Sequence, residues 1–127
     1  MSTIILIERE AAERERFSRG VDAEHRVLAA DDLESCRSQL GGADLLVVEL
    51  GPEASDLTIL DRVSALRPDL PIVITAPATL HGWRMLRTGM RLGARDFLTK
   101  PFDEEEVRQT IALAVQRETS ETRPLPV

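Results

Sequence analysis

Five short apolar segments, each followed by a stretch of helical period, constrain this chain more than any other feature of its sequence. The segments are Thr3 to Ile7, Arg26 to Ala30, Asp44 to Val48, Pro71 to Ile74 and Arg95 to Leu98. Their length and their content of Ile, Val and Leu mark them as strands. Between them Leu33, Cys36 and Leu40 share one helical face, as do Leu57, Leu60, Val63 and Leu66, and then Val107, Ile111 and Val115. Near-continuous apolar strands alternating with amphipathic helices predict a doubly wound α/β domain with a parallel sheet. Parallel strands need crossovers, and crossover helices bury both faces of the sheet.

Local chemistry agrees with this order. Asp103 and Glu106 stand at capping-box spacing before the last helix, Gly41 and Gly42 end the second, and Pro68 follows the third. The fourth helix, expected over roughly Leu80 to Leu92, is the weakly specified one. It contains Gly82 and Gly89, each costing about 1 kcal/mol against Ala in a helix interior.

At 127 residues the chain has room for one domain with a real core. We expect that domain over residues 1–117, with 118–127, which holds Pro124 and Pro126, as a tail or linker. A 43% hydrophobic and 30% charged composition argues against disorder and against a disulfide scaffold. The net charge of -6 repels a phosphate backbone, so direct nucleic-acid binding is not expected and the partner should be a protein. Cys36 is the single cysteine, which forbids an intrachain disulfide and fits a reducing compartment; its spacing suggests a buried position. The longest apolar run, Ile111 to Val115, is too short for a membrane span, and the N-terminus lacks a signal-peptide layout. These features lead us to expect a cytoplasmic protein without membrane contact.

In sheets of this kind the site lies beyond the carboxyl ends of the strands. The residues there are Glu8 and Arg9 after the first strand, Glu49 after the third, Thr75 after the fourth, and Lys100, Pro101 and Phe102 after the fifth. Any one of them could be an ordinary solvated strand end. Their placement at equivalent ends of the repeating units favours one shared pocket.

The segments ILIERE, ADLLVVEL, PIVITA and GARDFLTKPF resemble the receiver domains of two-component response regulators, from about Thr3 to about Arg117. The last segment is the most specific. The resemblance implies a flavodoxin-like (βα)5 fold with strand order 2-1-3-4-5. It also implies a phosphorelay function in which an aspartate ending the third strand takes a phosphoryl group from a histidine kinase. In such a domain two acidic residues after the first strand hold Mg²⁺, a Ser or Thr after the fourth binds the phosphoryl oxygen, and a lysine after the fifth pairs with the phosphate. An aromatic on the fifth strand moves with activation.

By that resemblance Glu49 stands at the phosphoacceptor position, Glu8 and Arg9 at the acidic pair, Thr75 at the hydroxyl, Lys100 at the lysine, with Pro101 after it, and Phe97 at the switch aromatic. Two positions depart from the pattern. Glu49 carries one extra methylene, which displaces its oxygens from where an aspartate would attack. Arg9 puts a permanent cation where a metal ligand belongs. Glu8 and Glu49 then face Arg9 and Lys100, so the charges cancel. Two unit charges about 4 Å apart interact by roughly 4 kcal/mol at an effective dielectric of about 20, so a divalent cation beside two cations is disfavoured. We therefore expect no bound metal and no cofactor, and phosphorylation that is very slow or absent. The loop at Gly51 and Pro52 is one residue shorter than is common in the family, and the stretch from Thr75 to Lys100 a few residues longer.

Outside the pocket, His25 and His81 lack a second ligand type at metal spacing and are expected to be surface or edge histidines. Arg84, Arg87 and Arg91 share one face of the fourth helix. A solvated face and a docking surface for an acidic partner are about evenly weighted. Trp83, beside them, is expected to pack inward more often than to bind. In receivers the fourth helix, fifth strand and fifth helix commonly form the output or dimer face, which tilts the balance toward docking. The leading reading is a non-enzymatic pseudo-receiver that binds a histidine kinase, a downstream effector or a second copy of itself. The alternative is a working receiver phosphorylated on Glu49 or another acid. A flavodoxin-like cofactor binder is the weakest, because Glu8-Arg9-Glu10 stands where a Gly-rich phosphate turn would be.

Overall fold

The computed structural model describes residues 2–115, so the proposed tail lies outside the described residues. Strands β1 (Thr3–Ile7), β2 (Arg26–Ala30), β3 (Leu45–Glu49), β4 (Ile72–Pro77) and β5 (Asp96–Lys100) form one parallel sheet in the order β2-β1-β3-β4-β5. Helices α1 (Ala11–Gly20), α2 (Leu33–Cys36), α3 (Thr58–Leu66), α4 (Leu80–Arg91) and α5 (Glu104–Val115) connect and follow the strands. The doubly wound fold and the strand order are those expected from the sequence.

Side-chain alternation along the strands splits the core in two. Ile5, Ile7, Leu46, Val48, Ile72 and Ile74 cluster with Leu33, Cys36, Leu60, Val63, Met85 and Leu86 of α2, α3 and α4. Ile4, Leu6, Leu45, Val47 and Val73 cluster with Phe17 of α1 and with Val107, Ile111 and Ala114 of α5. Each fully buried Leu, Ile or Val contributes about 1.5–3 kcal/mol, and the central strands are apolar on both faces because both faces are covered.

The α1–α5 side is tightly closed. A Cβ on Gly20 would lie 2.7 Å from the carbonyl oxygen of Glu104, so this helix pair approaches closely because position 20 has no side chain. Phe17 meets Phe102 edge to face at 5.6 Å. Glu13, a buried carboxylate in α1, accepts the Phe102 backbone N–H at 3.3 Å and pairs with Arg16 at 2.6 Å.

Two helices differ from what periodicity predicts. The second is α-helical only over Leu33–Cys36, capped by the Asp32 carboxylate on Ser35 N–H, and continues as a 3₁₀ turn over Arg37–Gly42. Leu40 stays buried, as its apolar spacing from Leu33 and Cys36 requires, although the helix type changes. The turn's carbonyls are met by Arg67 from the end of α3, whose Nη1 donates to Leu40 O at 2.6 Å and Ala43 O at 3.2 Å. In α4 the two glycines have a packing reason. A Cβ at Gly82 would lie 1.9 Å from Pro77 O, and one at Gly89 would lie 2.4 Å from Ile74 Cδ1.

Three strands begin and end later than their apolar runs suggest. Pairing continues through polar residues, with Glu49 opposite Thr75, Thr75 opposite Leu98 and Pro77 opposite Lys100. This continuation carries the charged residues to one end of the sheet. No helix among the described residues is long and apolar enough to cross a membrane.

Candidate functional site

At the carboxyl ends of β1, β3 and β5, Glu8, Glu49 and Lys100 form one ion cluster. Lys100 Nζ lies 2.5 Å from Glu49 Oε2 and 3.1 Å and 3.3 Å from the two oxygens of Glu8. Glu8 is wholly buried, and the Lys100 and Glu49 side chains are 10% and 15% exposed. Glu8 also accepts the backbone N–H of Glu10 at 3.1 Å. The peptide bond from Lys100 to Pro101 is cis.

Arg9 takes a different place from the one its sequence position suggests. Its side chain is 69% exposed at the rim, where Nε lies 3.5 Å from Glu49 Oε1 and the backbone N–H donates to the same oxygen at 3.3 Å. An exposed pair of this length contributes little. The charge that neutralises the two acids inside the cluster is therefore that of Lys100, with Arg9 as an outer cation.

Electrostatics separates the two carboxylates. Burial raises the Glu8 carboxyl above its ordinary value, assisted by the neighbouring Glu49 charge and opposed by Glu10 N–H and Lys100. Burial pushes Glu49 the same way, but the bonds from Lys100 and from Arg9 N–H prevail and hold it below its ordinary value. Burial opposes the Lys100 charge, yet its bond to Glu49 and the nearby Glu8 carboxylate win, so the ammonium is held above its usual range.

Thr75, in register with Glu49 on β4, is buried, and its Oγ1 has no hydrogen-bond partner among the described residues. Phe97 of β5 is half-buried and meets Trp83 of α4 edge to face at 5.6 Å.

Trp83 is 47% exposed, which corrects the expectation that it packs inward. The physical reason is that the inner face of α4 is filled by Met85, Leu86 and the close approach of Gly82 and Gly89. Trp83, Leu80, Arg84, Arg87, Met90 and Phe97 line a surface recess of about 380 Å³. Arg91 follows in the last turn, and none of the three arginines has an ion pair among the described residues.

Several contacts at and around the site are not legible in the sequence. Arg14, in a charge run that reads as a solvated helix, donates from Nη1 to Glu8 O at 2.7 Å and to Asp31 at 3.1 Å, fixing the turn that carries Glu8 and Arg9. Thr79 caps α4 by accepting Gly82 N–H at 3.0 Å, a signal visible in the sequence as a Thr before the helix. His81 reaches Pro52, 29 residues away, and nothing local reveals that pairing. His25 sits in the turn before β2 and takes no part in the cluster; its side chain is only 11% exposed and the Asp22 and Glu24 carboxylates lie within 4.8 Å of it, which corrects the expectation of a surface histidine with no second ligand type beside it.

No protein-family model matches the chain. It is 26% identical over 125 residues to the transcriptional regulatory protein CreB of Escherichia coli, a match that covers 98% of this chain and 49% of CreB. The chain thus spans about half the length of that relative. Among solved structures, the receiver domain of NtrX from Brucella abortus superposes with a TM-score of 0.78 at 21% identity, over 89% of this chain and 98% of that one. The N-terminal signal receiver domain of a two-component response regulator from Bacteroides fragilis gives 0.79 at 19% identity, over 89% and 95%. At these identities the structural likeness carries the fold, which is that of a response-regulator receiver domain.

Proposed function

We propose that this receiver-type domain signals by binding a protein partner, independently of phosphorylation and of Mg²⁺. The observation that carries the reading is the closed ion cluster, in which the Lys100 ammonium is shared between Glu8 and Glu49 at 2.5–3.3 Å. A hard divalent cation requires several free oxygen ligands. Here the two acids are already engaged by Lys100, and the third ligand position is the permanent cation Arg9. The donor set does not fit the metal. Without it the developing charge of a transferred phosphoryl group lacks its main stabiliser, and Glu49 presents an acceptor one methylene longer than aspartate. The cluster instead serves as a built-in charge pair that holds the ends of β1, β3 and β5 in one arrangement.

The binding surface is the α4–β5 side. Leu80 and Trp83 expose apolar area, and Arg84, Arg87 and Arg91 offer cations in a chain of net charge -6. A histidine kinase, a downstream effector or a second copy of the domain could seat there. Direct nucleic-acid binding is disfavoured by the overall charge.

The deciding experiment is intact-protein mass spectrometry after incubation with a small phosphodonor and Mg²⁺. No phosphoryl adduct is expected. A stoichiometric mass gain removed by hydroxylamine, as an acyl phosphate on a carboxylate would be, would replace this reading with that of a working receiver.

A further inference from the structure

The cleft beside Glu49 is bridged by a bond that the ion cluster does not require. His81, in the first turn of α4, places Nε2 2.6 Å from the carbonyl oxygen of Pro52, in the loop that follows Glu49. A carbonyl only accepts, so Nε2 carries the proton. Pro52 and His81 line the same cleft of about 350 Å³ as Arg9, Glu49 and Lys100. Among the described residues no other hydrogen bond joins α4 to residues 50–57.

Neither end of the bond has slack. On the α4 side, Gly82 has no room for a Cβ against Pro77 O, and Thr79 pins the turn through Gly82 N–H and Trp83 N–H, at 3.0 Å and 2.8 Å. On the loop side, Asp56 accepts Glu53 N–H at 2.8 Å, and a Cβ on Gly51 would lie 2.5 Å from that same carboxylate. The Pro52–His81 bond is the one hydrogen bond between the two pieces among the described residues, beside the apolar packing of Leu50 and Leu57 in the cluster that holds Met85 and Leu86 of α4.

We propose that His81 is a latch on the cleft, so that holding Pro52 keeps the loop after Glu49 against α4 and releasing it opens access to the Glu49–Lys100 pair. The same turn of α4 exposes Leu80 and Trp83, and Trp83 lies edge-on to Phe97. A partner seated on those side chains acts on the turn that carries the latch. Opening of the cleft and docking on α4 are then two ends of one motion. This goes beyond the phosphorylation-independent reading and does not depend on it, because the latch governs access whether or not the cleft accepts a phosphoryl group.

Hydrogen exchange read by mass spectrometry or NMR on the full chain tests it. The Glu53 and Asp56 amides report on the loop, since one donates to Asp56 Oδ2 at 2.8 Å and the other to Glu53 O at 2.9 Å. In His81→Ala, exchange at these two amides should rise about fivefold, the factor a single neutral hydrogen bond is worth. Emission from Trp83, the single tryptophan, should shift with it, while β1 and β3 amides stay unchanged. His81→Gln retains a donor at similar reach and should remain within about twofold of the native protein. Unchanged exchange at Glu53 and Asp56 in His81→Ala overturns the latch. So does an equal rise in β1 and β3, which would be general loosening, or a His81→Gln variant that behaves like His81→Ala. A silent Trp83 overturns the link to α4.

Discussion

Lys100 holds Glu49 more closely than it holds Glu8, 2.5 Å against 3.1 Å, although Glu8 is the more deeply buried of the two acids. The closer acid is kept ionised while the deeper one is pushed toward its neutral form. One ammonium thus serves two carboxylates unequally, and the consequences can be measured.

Lys100→Met removes the shared cation and leaves two confined carboxylates. Removing one partner of a buried pair costs about 3–5 kcal/mol. Both acids then resist ionisation, so the deficit should be largest near neutral pH and shrink as pH falls toward the ordinary glutamate value of 4.5. Urea denaturation at several pH values checks this; a deficit that does not vary with pH would place the effect in lost packing.

The raised Glu8 group has its own signature. A carboxyl whose folded value lies above its unfolded value binds its proton more tightly in the native state. Its contribution is therefore present below pH 4.5 and is lost as pH rises through the folded value. Glu8→Gln removes that dependence, and its stability relative to the native protein should improve as pH rises above 4.5. Glu49 runs the other way, losing stability as pH falls through its lowered folded value.

The two altered positions of the cluster can be separated by a double-mutant cycle. Glu49→Asp alone should remain unphosphorylated, because Arg9 still stands at the third ligand position. Arg9→Asp alone should gain Mg²⁺ binding, seen by calorimetry. The double variant should gain both metal and phosphoryl incorporation from a small donor. Since Arg9 is 69% exposed, the cycle also measures how far a rim cation acts on the cluster; equal phosphorylation of Glu49→Asp and the double variant would mean that it does not.

Gly82→Ala and Gly89→Ala should differ although both improve helix propensity by about 1 kcal/mol. At position 82 the new methyl meets the Pro77 backbone at 1.9 Å, so the helix must shift, at about 1–3 kcal/mol. At position 89 it meets the end of the Ile74 side chain, which can turn aside. Thermal melts should rank Gly82→Ala well below Gly89→Ala.

Reversal of Arg84, Arg87 and Arg91 to Glu should abolish self-association or effector capture while far-ultraviolet circular dichroism stays unchanged. Sedimentation at low and high salt reads the effect; unchanged association in the triple variant would return the stripe to a solvated face.

Much of this arrangement is legible along the chain, for physical reasons that also mark its limits. Thr3–Ile7 and Arg26–Ala30 are read to the residue. The ends of β3, β4 and β5 are not, because Glu49, Thr75 and Lys100 belong to strands by backbone pairing rather than by apolar character. The members of the ion cluster can be named from the resemblance to receivers, but their distances cannot. Arg9 at the rim and Trp83 at the surface depend on which face is already filled. The Pro52–His81 bond joins a loop to a helix across 29 residues, and the Glu13 bond to Phe102 joins residues 89 apart. Neither leaves a periodic trace.

The Glu13 bond bears on how the domain deforms. With Glu13 on the Phe102 N–H, Phe17 against the Phe102 ring and no room for a side chain at Gly20, α1, α5 and the corner after β5 form a stiff keel. Strain arriving at α4 therefore finds little compliance on that side of the sheet and is relieved across the α4–β5 edge. A probe fixed to α1 or α5 would register almost nothing of a signal that a probe on α4 reports in full.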